Sequence, residues 1–165
     1  MNFKNLFLAL SLFATSCQAA KVTITPYNHK KDECDLKRII EAQIPQDFND
    51  DEINSGIEEV RAHMDYKGDE PIAFTMIKVG NKNTGYIIAA LPTEKDGAAD
   101  VFLFCVPETH QEEVLQAFIK YLKKNTIACG LNWPDFGTIP EDVFTKCGFQ
   151  AQSNWLLSYY ALNFK

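Results

Sequence analysis

The chain of 165 residues reads as an α+β fold: a mixed central β-sheet with helices on both faces. Three observations predict it. Alternating or apolar runs rich in β-branched and aromatic residues recur at 21–27, 71–80, 85–93, 99–106, 127–133 and 155–164, the spacing of strands. Helical periodicity lies between some of these runs and not others. The run at 99–106 and the run at 127–133 are joined by a long amphipathic helix, the signature of a parallel crossover.

The elements follow in order. KVTITPY (21–27) alternates and carries three β-branched residues, so it is extended. Leu36, Ile39, Ile40 and Ile44 then mark one helical face, which Pro45 stops. A second helix begins after Asp50 and Asp51 with Ile53, Ile57, Val60 and Met64 on its stripe. PIAFTMIKVG (71–80), the turn residues NKNTG (81–85) and GYIIAALPT (85–93) form a hairpin. ADVFLFCV (99–106) is apolar throughout, as in a strand buried on both faces. From Thr109 to Asn125 a helix places Val114, Leu115, Phe118, Ile119 and Leu122 on one stripe. IACGLNW (127–133) returns to the sheet. Residues 134–140 are irregular, and Glu141 to Lys146 is a short helix closed by Gly148. WLLSYYALNF (155–164) is the last strand. The order is β-α-α-β-β-β-α-β-α-β.

The N-terminus has a different character. Residues 1–19 place Lys4 before an apolar run from Leu6 to Ala14 and then small residues, the layout of an exported protein's signal peptide. Cleavage near Ala19 or Ala20 leaves one domain, 20–165. Lipidation at Cys17 is the alternative, since Ala14-Thr15-Ser16-Cys17 loosely matches a lipoprotein box but lacks its leucine. The run is too short to span a bilayer comfortably, so no transmembrane span is expected in the mature chain.

Net charge is −6, and becomes −7 once Lys4 leaves with the leader. An acidic surface without a lysine or arginine cluster argues against nucleic acid and anionic membrane as partners. Cys34, Cys105, Cys129 and Cys147 remain, with no C-x-x-C pair. Two disulfides and buried free thiols are both open. His29, His63 and His110 show no metal-ligand spacing, so no metal is expected.

Certain landmarks together carry a resemblance: two helices after the first strand, FCVPE (104–108) leading into the long helix, and FTKCGF (144–149) before the final strand. The chain resembles the GNAT superfamily of N-acetyltransferases over about residues 21–164. That likeness implies acetyl-CoA as cofactor and an amine, free or on a protein, as acceptor. It implies a donor site at Phe104, Val106, His110, Gln111 and Asn132, with Glu108, Asn132 and Tyr160 in catalytic positions. Asp100 and Glu108 are the acids at either end of the central strand. Tyr159 and Tyr160 point to opposite faces, so one of them meets the cleft.

Two positions depart from the family pattern. The glycine-rich turn that cradles the coenzyme diphosphate is replaced by His110-Gln111-Glu112-Glu113-Val114-Leu115. Phe144 stands where relatives carry a tyrosine acid. Thr109 and Glu112 have capping-box spacing, which predicts that this helix start satisfies its own N–H groups and disfavours a diphosphate. Two functions therefore stand side by side: acetyl transfer to an amine, and an exported non-catalytic binding protein on the same scaffold.

Overall fold

The computed structural model describes residues 20–43, 71–153 and 158–164, together with Ser55, Glu58 and Ala62. Among the described residues one sheet of seven strands runs β1 (Val22–Pro26), β2 (Ile72–Val79), β3 (Lys82–Ala90), β4 (Ala98–Cys105), β5 (Gly130–Pro134), β7 (Ser158–Asn163), β6 (Gln150–Ser153) in spatial order. Only β4 and β5 pair in parallel; every other neighbour is antiparallel. The predicted leader, Ile44, and most of the predicted second helix lie outside the described residues; Ser55, Glu58 and Ala62 within that span are helical.

Helix α1 (His29–Gln43) covers one face of the sheet. Leu36, Ile39 and Ile40 pack there against Met76, Tyr86 and Ile88. Helix α2 (Gln111–Asn125) and the short α3 (Glu141–Lys146) cover the other face. Val114, Leu115, Phe118 and Leu122 are wholly buried there, beside Ile77, Ile87, Leu131, Trp133 and Phe144. Each such side chain contributes about 1.5–3 kcal/mol by leaving water. This two-sided burial explains why β3 and β4 look apolar rather than alternating.

α1 starts earlier than its apolar stripe because Asn28 caps it. The Asn28 side-chain oxygen accepts from the Lys30 N–H (3.1 Å), and Asp32 accepts in return from the Asn28 N–H (2.8 Å). Asp32 is buried, and its other oxygen accepts from Asn83 Nδ2 at 3.0 Å. The helix is thereby pinned to the β2–β3 hairpin.

Two boundaries differ from the sequence expectation. The hairpin turn is tighter than NKNTG implied: Lys82 pairs with Val79 and Asn83 with Lys78, leaving Gly80 and Asn81 as the bend. The end of the chain carries a strand that went unpredicted, β6, which pairs with β7 at the sheet edge. Its residues Gln150, Ala151, Gln152 and Ser153 are all exposed, so no hydrophobic pattern announces them. Trp155 to Leu157, placed in the last strand by the sequence, lie outside the described residues.

Candidate active site

β4 and β5 pair only at Ala98–Gly130, Ala99–Leu131 and Asp100–Asn132. Beyond that rung they part. β4 continues along β3 to Cys105, while β5 follows β7 to Pro134. A register irregularity between Ile88 and Ala89 leaves Phe102 as an extra residue on β4, two residues past the last shared rung. The β4 backbone after Asp100 therefore has no strand partner on its β5 side.

A cavity of about 350 Å³ opens at this fork, lined by Asp100, Val101, Asn132, Trp133, Pro134, Ser158 and Tyr159. The Asn132 amide donates to Asp100 Oδ1 at 2.7 Å, which orients the carboxylate and leaves Oδ2 for a ligand. Asp100 is the carboxylate of this lining, and the lining holds no lysine or arginine. Trp133 is fully buried, and its indole Nε1 has no hydrogen-bond partner among the described residues. A carboxylate and two aromatic walls make a recess suited to a cationic ligand, whereas the Trp133 N–H is sealed in the core behind it.

The sequence-predicted site residues divide into three places. Asn132 lies at the fork itself, joined there by Asp100. Phe104 and Val106 pack against the core beneath α2. Glu108, His110 and Gln111 stand at the far end of β4, where a 3₁₀ turn, Glu108–His110, leads into α2. From Asp100 to Cys105 alone is roughly 16 Å along the strand, so Glu108 and Asp100 are not one cluster. Tyr160 is in the core, its ring stacked on Phe144 at 4.0 Å and 9°. Burial, then the negative charges of Asp135 and Glu141, push its phenol up, so that it stays protonated. Tyr159, its neighbour, lines the cavity instead. Strand alternation made one of the pair face the cleft; which one depended on register with β5.

The predicted capping box at Thr109 and Glu112 does not form. The 3₁₀ turn makes His110 the N-cap of α2, and no side chain caps it. Thr109 Oγ1 bonds His110 Nδ1 at 2.7 Å, and Glu112 Oε1 accepts from Gln116 at 3.1 Å. Thr109 falls one residue outside the α-helix, so the T-x-x-E spacing no longer spans N-cap and N3. Gln111 is buried and donates to the Thr138 carbonyl at 2.9 Å, tying the start of α2 to the loop after β5.

The four described cysteines are free thiols, and only Cys34 is exposed. Among the described residues no helix is long and apolar enough to cross a membrane, and no His, Cys, Asp and Glu cluster could hold a metal.

No family model matches the chain, and none of the curated proteins matches it in sequence. Solved structures do match. A GNAT-family protein from Desulfovibrio desulfuricans shares 15% identity with a TM-score of 0.56, covering 86% of this chain and 98% of its own. The RimL ribosomal L7/L12 N-protein acetyltransferase in complex with coenzyme A shares 13% at TM-score 0.58, covering 87% and 94%. The aminoglycoside acetyltransferase AAC(6′)-Ib, in complex with coenzyme A and kanamycin, shares 12% at TM-score 0.58, covering 87% and 95%. With its mixed sheet forked between β4 and β5 and its helices on both faces, the chain carries the GNAT acetyltransferase fold, far diverged in sequence.

Proposed function

We propose that this protein is an acyltransferase that moves an acetyl group from acetyl-CoA to an amine. The observation that carries the proposal is the fork: the β4–β5 ladder ends at Asp100 and Asn132, and a cavity opens there beside β4 backbone that β5 no longer flanks. The groups on either side fit a thioester donor. The edge of β4 from Leu103 to Cys105 that turns away from β3 has no β5 residue paired to it and fits an amide-rich arm, and the start of α2 has N–H groups that no side chain caps. Glu112 and Glu113 in that first turn oppose a diphosphate, so donor affinity should be modest. Bound there, acetyl-CoA would supply an activated acetyl carbonyl.

The chain's own residues then do three things. Asp100 receives the cationic amine and takes its proton. Asn132 holds the carboxylate in place through the 2.7 Å bond. Tyr159, the phenol lining the cavity, is positioned to return a proton toward the departing side, a task Phe144 cannot perform. The leader suggests that the protein is exported and acts where acetyl-CoA is present, such as another cell's cytosol; the mass of the mature N-terminus tests the export.

The experiment is acyl transfer by purified mature protein to a panel of small amines, with calorimetry of acetyl-CoA beside it. Asp100→Asn should lower kcat/KM roughly 10²–10⁴-fold, the range for loss of a general base, while leaving donor affinity unchanged. A second reading, a non-catalytic binding protein, is favoured by the contact of Phe136 with Phe104, which bridges the fork with the protein's own rings. Absence of both turnover and acetyl-CoA binding selects it.

A further inference from the structure

Phe136 is anomalous. It is a large apolar side chain 59% exposed to solvent, on the irregular segment between β5 and α3. Its ring stacks on Phe104 of β4 at 6.0 Å and 12°, and Phe104 in turn meets Trp133 of β5 edge-on at 4.8 Å. Phe104 belongs to one arm of the fork, whereas Trp133 and Phe136 belong to the other. The three rings therefore bridge the two strands where the ladder has ended.

The segment holding Phe136 is tethered on both sides of it. The Asp135 N–H donates to the Ser158 carbonyl at 3.1 Å, and the Gly137 N–H donates to Asp135 Oδ1 at 3.1 Å. Gly137 adopts a φ of 69°, which glycine alone takes without strain. Gln111 then holds the Thr138 carbonyl, and Ile139 is buried. Between these ties the Phe136 side chain rests on Phe104 alone among the described rings. Little holds it there, and little is lost when it leaves.

We infer that Phe136 is the gate of the donor cleft: its ring must lift from Phe104 before a thioester arm can lie along the β4 backbone, and the Gln111–Thr138 hydrogen bond is the latch of the loop that carries it. The inference rests on the acyltransferase reading above. When a binding-competent state is only part of the population, apparent affinity falls by that fraction. An aromatic pair is worth about 0.5–1.5 kcal/mol, so closing the gate weakens donor binding roughly 3- to 14-fold.

The test is calorimetry with two probes, acetyl-CoA and S-acetylpantetheine; the second has the arm without the diphosphate and so avoids Glu112 and Glu113. Wild type is compared with Phe136→Ala and, as a control for losing exposed apolar surface elsewhere, Ile127→Ala (50% exposed). Phe136→Ala should bind both probes roughly 3- to 14-fold more tightly than wild type, and Ile127→Ala should match wild type. Equal or weaker binding by Phe136→Ala, with wild type binding normally, overturns the gate and leaves the acyltransferase reading standing. No binding of either probe by any of the three proteins overturns both. Melting curves within a few degrees of wild type establish that the variants are folded, as the exposure of both side chains predicts.

Discussion

Replacing Asn83 by leucine separates polar anchoring from packing at the contact between α1 and the sheet. Asn83 is buried, and its Nδ2 donates to Asp32 Oδ1 at 3.0 Å and to Asp35 Oδ2 at 2.9 Å. Its own Oδ1 is buried with no hydrogen-bond partner among the described residues. Arg38 reaches the Asn83 backbone carbonyl at 2.8 Å, a contact that the substitution keeps. Two hydrogen bonds to carboxylates are worth about 1.5–3 kcal/mol each, so their loss costs about 3–6 kcal/mol. Removing the orphaned carbonyl returns about 1–3 kcal/mol. Taken at the midpoints of the two ranges, the net is a destabilisation of about 2–3 kcal/mol, most of it from a buried Asp32 left with the Asn28 N–H as its remaining partner. For a domain of this size that lowers Tm by roughly 4–12 °C. Urea and thermal unfolding of Asn83→Leu measure it. A variant as stable as wild type would show that the Asp32–Asn83 pairing does not anchor α1, and the account of that layer would be wrong.

The helix caps give a paired prediction. Asn28→Ala should cost about 0.5–2 kcal/mol, whereas Thr109→Ala should stay within about 0.5 kcal/mol of wild type, because only Asn28 caps a helix; equal effects in urea unfolding would contradict the two helix starts described. The thiols make a third. Burial pushes Cys105 up to about 11, and burial with the Glu112 charge does the same for Cys147, from an ordinary 9.0. Both should alkylate with iodoacetamide at pH 8 about a hundredfold more slowly than a thiol at its ordinary value, which mass spectrometry of timed samples reads. Their raised values favour the protonated form in the fold, so the stability they contribute is complete below pH 9.0 and is lost as pH climbs through about 11. Unfolding midpoints that stay flat from pH 8.5 to 11 would contradict this. Phe118→Ala, at a fully buried position under α2, should cost about 3–5 kcal/mol in the same unfolding assay.

The class and most elements were legible because they rest on periodicity. The α2 stripe, the β2–β3 hairpin and the left-handed Gly148 after α3 (φ 86°) are local patterns, fixed by residues a few positions apart. β6 was not legible, since an exposed edge strand of polar residues has no pattern to detect. The capping box failed for a similarly local reason. A 3₁₀ turn of three residues moved the helix start, and no sequence signal separates Thr109 as N-cap from Thr109 one residue before it.

The site needed more than periodicity. Asn132 was legible from its place after a strand, but its bond to Asp100 depends on a parallel register between residues 32 positions apart. The same register decides that Tyr159 lines the cavity while Tyr160 stacks on Phe144. By itself the sequence determined the layers of this protein, because burying one face of each helix and strand is a demand that neighbouring residues state together. Only the tertiary structure decided where the ladder between β4 and β5 stops and what closes the gap, because that balance is struck among Phe104, Trp133 and Phe136, which meet only once the sheet is assembled.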